Sequence, residues 1–394
     1  MQSGLRRSRC IAGEEPEHEP LSWPTRPRQK RPRLDTKQPA RLGSAETEQP
    51  ADLKHGPSPV ASFSTPSVSG WEYLAAEANA RIDRYLPLIG LDDNKLIPCL
   101  HAFINFLPPA GRASIATDIL NCGNDDKKLF QVFENLSTAL LYPMKTQRGK
   151  SSIQSSPHSR RQSQVNETVG ELPSPVPREK SLWVQCLRRD NHRCVITKAL
   201  EFGRWRDLGR PQNETKTHLE VAHIIPYSYG KYKDTATPSK AAAEMWEALY
   251  PCFPAIKEIA MNATRINDLF NAITMAAHLH KEFGEFSLAF EATEIPNVYN
   301  LKTYDHFSDQ LLGILPADRR VELRAAPGME EAPLPHPIFL STHFAIAEIL
   351  HASGMGETID EQVRDVEEIG CLRANGRTNI AGLLAGTNWG VVVG

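Results

Sequence analysis

The sequence predicts an α+β protein in which a helical region precedes short strands that alternate with further helices. Between Trp71 and Tyr142, apolar residues recur at helical spacing. Beyond residue 179, short apolar runs typical of strands alternate with amphipathic helical segments. Stretches rich in Pro, Ser and charged residues precede and separate these regions, and such stretches cannot bury a core of their own.

Residues 1–69 are expected to form a disordered N-terminal arm. The segment is rich in Pro, Ser, Glu and Arg and too poor in apolar residues to offset the entropy lost on ordering. It contains a basic cluster with Arg28, Lys30, Arg31 and Arg33. Such a cluster serves as a nuclear import signal or a weak phosphate-binding arm, and the alternative is a solvated patch without a receptor. Import is the favoured interpretation.

Residues 70–144 are predicted to form a flanking helical domain. Helical spacing relates two sets of apolar residues, namely Tyr73, Leu74, Ala78, Ile82, Tyr85 and Leu86, and Leu96, Leu100, Phe103, Ile104 and Leu107. The pair Pro108 and Pro109 ends the second helix, and Ile115–Leu120 and Leu129–Leu141 indicate two more. Packing explains these positions. We expect the domain to bind a protein partner or to position DNA.

Residues 145–178 return to Ser, Gln, Pro and Arg and are predicted to be a disordered linker. The next segment, 179–300, begins with a helix at Ser181–Asp190 and a short buried strand at Cys194–Ile196. A polar loop then leads to the strand Thr217–Ile225, which predicts a long hairpin between these two strands. Lys240–Leu249 has the pattern of an amphipathic helix in which Trp246 packs on the core.

Residues 301–364 are expected to pack on that segment, and 365–394 form a tail without clear pattern. Strands are indicated at Ser287–Glu291, Val298–Tyr304 and Arg319–Ala325, and a helix at His343–His351. The two histidines of this helix are too far apart in sequence to predict a shared metal site.

The bulk composition restricts the partners. A formal net charge of −2 gives no global attraction to nucleic acid, so any basic surface must be local. The seven cysteines include no C-x-x-C pair, which argues against a zinc ribbon, and their odd number argues against a disulfide scaffold. We therefore expect a reducing compartment, in which Cys194 is a buried apolar residue. No apolar run is long enough to cross a membrane, so no membrane partner is expected.

Three stretches together resemble the HNH nuclease pattern. They are Leu219–Pro226 with His223 at the end of an apolar strand, Ile266–Met275 with Asn271 opening a second strand, and His278–Phe283. The lead-in Arg189–Thr197 is similar to that of the family's fungal branch, as is the helix from His343. The resemblance covers about 181–291. It implies a ββα-metal (HNH) module, in which a hairpin and one helix hold a single metal against a phosphodiester.

The resemblance also implies roles for individual residues. His223 becomes the general base, since a neutral imidazole with a pKa near 6.5 can accept a proton from water. Asn271 would fix the loop that bears His223 through hydrogen bonds. His280 would bind the metal from the helix, with His278 as its competitor, because residues two apart on a helix point to different sides.

The chain departs from the family pattern at three positions. Ala222 stands where many members carry an acidic metal ligand, although the fungal branch commonly has Ala there with a Glu two residues earlier, as Glu220 is here. Strand alternation puts Glu220 and Ala222 on one face, so Glu220 could serve as the metal ligand, and the alternative is a surface glutamate. The family's glycine after the asparagine is Ala272, and its acidic residue after the helical Leu-Phe is Gly284.

The insertion after His223 mixes aromatic and basic residues, among them Tyr229, Lys231 and Lys233. Such residues can stack on bases and neutralise phosphates, although the same mixture occurs in ordinary loops.

The sequence therefore predicts a metal-dependent HNH-type endonuclease that hydrolyses nucleic-acid phosphodiester bonds, with DNA favoured over RNA. Mg²⁺ or Mn²⁺ suits a site of carboxylate and imidazole ligands. The alternative is a catalytically degenerate protein that binds nucleic acid or protein as a scaffold. We expect the protein in the nucleus, and otherwise in the cytoplasm.

Overall fold

The computed structural model describes residues 68–146, 153–172, 180–231 and 236–367. The basic cluster of Arg28, Lys30, Arg31 and Arg33 lies outside the described residues, as does Lys233. Residues 1–67 of the predicted arm and 368–394 of the predicted tail lie outside them as well.

Proline and capping residues set the limits of the first helices. The helices are α1 (Val68–Asp83), α2 (Leu96–Phe106), α3 (Pro109–Leu120), α4 (Asp126–Leu136) and, after a π-helical turn at Ser137–Leu141, α5 (Tyr142–Thr146). Pro108 is extended and Pro109 opens α3, where the missing proline N–H costs no helical hydrogen bond. Asp125 caps α4 by accepting a hydrogen bond from the Lys128 N–H at 3.0 Å. The predicted helical region is confirmed.

Residues 159–171 form a helix where the sequence predicts a disordered linker. This helix, α6 (Ser159–Glu171), buries Val165 and packs on the later helix α9 (Ala236–Cys252). Arg161 pairs with Asp118 of α3 at 3.0 Å, and the Thr168 hydroxyl donates to Glu247 at 2.7 Å. The prediction of disorder is wrong for these residues because tertiary polar contacts, which composition does not encode, stabilise the helix.

A turn replaces the strand that was predicted at Cys194–Ile196. After α7 (Lys180–Arg189), Asn191 and His192 adopt left-handed backbone angles with φ of 54° and 55°. The Lys198 N–H then donates to the Cys194 carbonyl at 2.9 Å, which closes the turn. Cys194 is fully buried, as expected.

The middle of the chain contains two small two-stranded sheets. β1 (Leu200–Glu201) pairs in parallel with β2 (Lys216–Thr217), and α8 (Phe202–Asp207) lies between them in sequence. β3 (Leu219–His223) pairs antiparallel with a strand that follows a long insertion, rather than with Cys194–Ile196. The hairpin predicted between 194–196 and 217–225 is therefore wrong.

The insertion is helical and ends at the partner of β3. It contains α9 (Ala236–Cys252) and α10 (Pro254–Glu258) and leads into β4 (Ala272–Ala276) and then directly into α11 (Ala277–Gly284). The register places His223 opposite Ala272 and Glu220 opposite Met275. Trp246 of α9 is 1% exposed and donates its indole N–H to the Tyr229 carbonyl at 3.1 Å, which confirms its predicted packing role.

The C-terminal part consists of a sheet and three helices. Its elements are β5 (Leu288–Ala292), β6 (Val298–Thr303), α12 (Asp309–Leu312), β7 (Arg320–Glu322), α13 (Pro337–Ser353) and α14 (Met355–Glu367). The strands form an antiparallel sheet in the order β5-β6-β7. The three predicted strands are confirmed, α13 begins at Pro337 rather than His343, and α14 was not predicted.

One hydrophobic core joins the helices of 70–144 to the segment 179–300, although the sequence predicts separate domains. Helix α2 packs on α13, and α13 packs on β5. Their buried apolar residues belong to the same cluster as those of β4 and α11. The helices of 70–144 therefore support the module through α13.

Two further observations concern the described residues alone. Cys99, Cys122, Cys186, Cys194 and Cys252 are all buried free thiols. No helix in the described ranges is both long and apolar enough to span a membrane.

Candidate active site

β3 and α11 present polar side chains on a frame of buried apolar residues. Every residue of β4 is buried, whereas β3 buries Leu219 and Ala222 and leaves Glu220 exposed. On α11, Leu279 and Phe283 are buried and hold the helix on the core. This arrangement follows from the apolar spacing of both elements and leaves their polar residues at the surface.

Glu220 and His280 meet across β3 and α11. The His280 Nδ1–H donates to Glu220 Oε2 at 2.6 Å, and the side chains of His280 and Glu220 are 23% and 53% exposed. His278, the competing candidate, is exposed on the same helix. The structure thus brings His280, rather than His278, to the carboxylate of Glu220.

His223 lies at the end of β3 and is half-buried. Its Nε2–H donates to Asn267 Oδ1 at 3.1 Å, and its ring lies 5.7 Å from the ring of Tyr227. With Nε2 as the donor, the lone pair of the neutral ring is on Nδ1. Sequence reasoning missed Asn267, although it lies in the same motif stretch as Asn271, because only the fold shows which amide reaches the imidazole.

Asn271 is fully buried and holds the segment that follows His223. Its Oδ1 accepts from the Ile225 N–H at 2.8 Å, and its Nδ2 donates to the carbonyls of Ile225 at 3.0 Å and Ile266 at 2.9 Å. The Asn271 carbonyl also accepts from the Ile224 N–H at 2.9 Å. These bonds lie where the resemblance implied them, on the loop beside His223.

Arg189 is a second structural residue that sequence reasoning missed. Its guanidinium is fully buried and donates to both carboxylate oxygens of Asp190 at 2.8 Å. It also donates to the carbonyls of Leu269 at 2.8 Å and Ala272 at 2.9 Å, at the entrance to β4. A buried guanidinium must have all these partners to offset its desolvation, so Arg189 fixes α7 against the start of β4. The sequence signal that could have identified Arg189 is the Arg-Asp pair at the end of an apolar helix.

The structure corrects one of the nucleic-acid candidates. Tyr229 is fully buried, with its ring edge-on to Trp246 at 5.2 Å, so the ring is inside the core and cannot stack on a base. Burial raises the pKa of its hydroxyl. Lys231 is exposed, and Lys233 lies outside the described residues.

The donor set at Glu220 and His280 fits a divalent cation with few protein ligands. A carboxylate oxygen and an imidazole nitrogen are acceptable ligands for Mg²⁺ or Mn²⁺. Because His280 Nδ1 donates to Glu220 at 2.6 Å, the nitrogen of this ring that could bind a cation is Nε2. Ala222 is 1% exposed and offers no ligand. The described ranges contain no group of three or more His, Cys, Asp or Glu side chains placed to hold a metal. Any ion here would therefore keep several waters.

The alanine that replaces the family's glycine is compatible with the backbone. Ala272 has a φ of −136°, which an ordinary residue adopts without strain. The third difference, Gly284, ends α11 and is followed by the exposed Glu285.

Residues 194–291 match the sequence model of a family described as HNH endonuclease. The match supports an HNH nuclease-type domain. This HNH domain contains β3, β4 and α11, and therefore Glu220, His223, Asn271 and His280. Arg189 and the supporting helix α13 lie outside the matched residues. No curated protein and no solved structure matches the chain significantly.

Proposed function

We propose that this protein is a metal-dependent HNH-type endonuclease of the ββα-metal kind, in the fungal branch, which hydrolyses phosphodiester bonds of DNA rather than RNA. The observation that carries the proposal is the contact of Glu220 with His280 on the strand that ends at His223. The proposed base and the two proposed metal-binding side chains thereby lie on two elements in contact, β3 and α11, within the residues that match the HNH endonuclease family.

His223 is the general base of the proposed reaction. It takes a proton from a water molecule, whose oxygen attacks phosphorus as the 3′-oxygen departs, which leaves 5′-phosphate and 3′-hydroxyl ends. The side-chain oxygen Oδ1 of Asn267 accepts a hydrogen bond from Nε2–H, which holds the ring and favours the tautomer with its lone pair on Nδ1. Asn271 fixes the loop that follows the base.

Glu220 and His280 would hold the cation. When bound, a divalent cation supplies charge stabilisation for the phosphoryl oxygens and the departing oxygen. The contact seen here supports two roles for Glu220, since a carboxylate can bind the ion itself or orient the histidine through its other nitrogen. Both roles require the carboxylate, so the loss of Glu220 weakens metal binding in either case.

Plasmid cleavage tests the proposal. Purified full-length protein is incubated with supercoiled plasmid and Mg²⁺ or Mn²⁺, with and without EDTA, and the products are separated on a gel. We expect nicked and linear DNA that a ligase can reseal without prior phosphorylation, and no reaction in EDTA. Absence of cleavage with either metal, or cleavage that persists in EDTA, would overturn the proposal.

The second candidate function is that of a nucleic-acid-binding or protein-binding scaffold. It is favoured by Ala222, since among the described residues the site then has two metal-binding side chains in contact, Glu220 and His280. Calorimetric titration with Mn²⁺ separates the two candidates, because a scaffold binds DNA without binding the metal.

We further propose that the protein acts in the nucleus, which is supported by the basic cluster Arg28, Lys30, Arg31 and Arg33 and by the DNA substrate proposed above. A protein partner on the helices of 70–144 remains a prediction. The exposed apolar side chains of Leu86 and Ile89, between α1 and α2, are the first positions to vary in a search for it.

A further inference from the structure

Residues 202–218 form a basic surface segment, here called the arginine flap. It consists of α8, the loop that follows and β2, and it exposes Arg204, Arg206, Arg210 and Lys216. Within the described ranges, none of these four cations has a carboxylate oxygen within 4.0 Å. Their charges therefore remain available to a ligand of opposite sign.

The acidic residues near the flap do not neutralise it. Glu214 is held by Arg193 from outside the flap, in a bidentate pair with both distances 2.7 Å. Glu201 caps α8 by accepting a hydrogen bond from the Arg204 N–H at 2.6 Å. Asp207 is the remaining exposed acid within the flap. The flap thus carries a local positive charge in a chain whose formal net charge is −2.

Aromatic packing gives the flap a fixed shape. The ring of Phe202 lies 5.9 Å from Trp205 and 5.4 Å from His218. The Trp205 indole N–H donates to the Pro211 carbonyl at 3.0 Å, and Lys216 Nζ lies 4.0 Å from the indole ring. Because a lysine already covers Trp205, the flap offers cations rather than a free stacking surface for bases.

The flap directly precedes β3 of the candidate active site in the chain, and one hydrogen bond connects it to α11. β2 is followed by His218 and then by β3, which carries Glu220 and His223. The His218 carbonyl accepts from the N–H of Ala277, the first residue of α11, at 3.0 Å. A strand advances about 3.3 Å per residue, so Lys216 and Glu220 are separated by roughly 13 Å along the chain. That separation spans only a few phosphates of one strand of duplex DNA.

We propose that the arginine flap binds the phosphate backbone of double-stranded DNA beside the bond to be cut. The inference rests on the function proposed above and adds the surface that positions the substrate. Guanidinium groups bind phosphate oxygens through paired hydrogen bonds, and backbone contacts of this kind carry no sequence information directly. The flap therefore gives affinity and register without base specificity.

Fluorescence anisotropy with a labelled duplex tests the flap in full-length protein. The chelator EDTA is present, so that binding is measured without cleavage. The test variant carries Arg204→Gln, Arg206→Gln and Arg210→Gln. The matched control carries Arg84→Gln, Lys127→Gln and Lys128→Gln, which remove the same charge from exposed positions of the helical region. Circular dichroism melts establish that both variants fold.

We expect the flap variant to bind the duplex at least about tenfold more weakly than wild type, and the control to stay within about twofold. The slope of log affinity against log salt should fall by about 0.9 for each phosphate that the variant no longer neutralises, and so by about 2 to 3 in the flap variant. Equal affinities and slopes for the two variants would overturn the proposal. Tighter wild-type binding to single-stranded than to duplex DNA would also overturn it.

The variant His223→Ala separates this inference from the proposed function. If His223→Ala abolishes cleavage while the flap variant binds DNA as wild type does, the flap proposal fails and the nuclease proposal stands. If the flap variant loses binding while His223→Ala still cuts, the catalytic assignment fails and the flap proposal stands.

Discussion

At the scale of single residues, the proposed chemistry depends on His223. Hydrogen bonds with the side chains of two asparagines position its ring and the loop that follows it. His223 is bonded to Asn267, and the loop after it is bonded to Asn271, whose buried side chain makes three hydrogen bonds of 2.8–3.0 Å. A base held in this way needs little reorganisation when it takes a proton. The two asparagines therefore have distinct tasks, one on the ring and one on the loop.

Replacement of the base tests its role directly. His223→Ala should lower the cleavage rate by about 10² to 10⁴-fold, the usual contribution of a general base, while the protein stays folded because the ring is only half-buried. Plasmid cleavage with Mg²⁺ measures the rate, and His278→Ala on the exposed side of α11 is the control. A near wild-type rate in His223→Ala would remove the residue from the mechanism.

Asn267 should act as a positioning residue. Asn267→Ala loses the acceptor for His223 Nε2, so we expect kcat to fall about tenfold with KM little changed, because the ring is misplaced but the substrate is still bound. Asn267→Asp keeps an oxygen at the same position and should recover most of the rate. Equal loss in both variants would indicate a structural role instead.

The metal pair can be tested without measuring activity. His280→Ala and Glu220→Ala should each weaken Mn²⁺ binding by about tenfold or more, since each removes one member of the 2.6 Å contact, whereas His278→Ala should not. Ala222→Asp adds a carboxylate on the same face and should tighten binding. Isothermal titration calorimetry measures all four variants, and a larger effect of His278→Ala than of His280→Ala would reassign the ligand.

At the scale of elements, α13 supports α11 through a buried histidine. The ring of His343 stacks between Phe283 and Phe286, with centroid distances of 3.8 and 4.3 Å, and its Nε2–H donates to the Phe283 carbonyl at 2.9 Å. Phe283 belongs to α11, the helix that carries His280. His343 is therefore a packing residue, and it holds the helix of the site.

The burial of His343 makes the stability of the fold depend on pH. Burial lowers the pKa of this ring from 6.5 to about 3, so the folded protein keeps it neutral while the unfolded chain binds a proton below pH 6.5. Stability contributed by the neutral ring is fully present above pH 6.5 and is lost as pH falls toward 3, by up to about 1.4 kcal/mol per pH unit.

Urea unfolding at pH 7.5 and pH 5.5 checks this expectation. His343→Phe keeps a stacked ring without a titratable nitrogen, so its free energy of unfolding should fall less between the two pH values than that of the wild type. His351 and His336 also have lowered pKa values because of burial, so part of the slope should remain. Identical slopes in wild type and variant would contradict the assignment to His343.

At the scale of the whole molecule, the described part of the HNH domain is not independent of the helices around it. α2 packs on α13, α13 packs on β5, and α6 packs on α9 of the insertion between His223 and Asn271. The geometry of the site therefore depends on residues far outside the stretch 194–291 that matches the family.

Nuclear import is also a property of the whole chain. Replacing Lys30, Arg31 and Arg33 by alanine should move a fluorescent fusion from the nucleus to the cytosol, because the basic cluster is the proposed contact for an import receptor. At 43.9 kDa plus the tag, unassisted passage through the pore should be slow, so microscopy can detect the shift. Lys127 and Lys128 with Arg84, changed to alanine, provide the control. Nuclear accumulation that survives the change at the cluster would show that it is not the signal.

Elements whose pattern is local could be predicted from the amino-acid sequence alone. Helical spacing predicted α2 and α9, and strand-like apolar runs predicted β5 and β6, because each of these signals lies within a short stretch. The roles of His223, Asn271 and His280 come from the resemblance of three such stretches to a known family and stay predictions.

The contacts between distant segments could be seen only in the folded protein. The pairing of β3 with β4 across the insertion, the order in α6, the burial of Tyr229 and the bonds of Asn267 and Arg189 all depend on partners far away in sequence. Such contacts form only when the whole core is assembled, and their free energy can override the secondary-structure preference of a local segment. A short stretch of sequence does not contain this information.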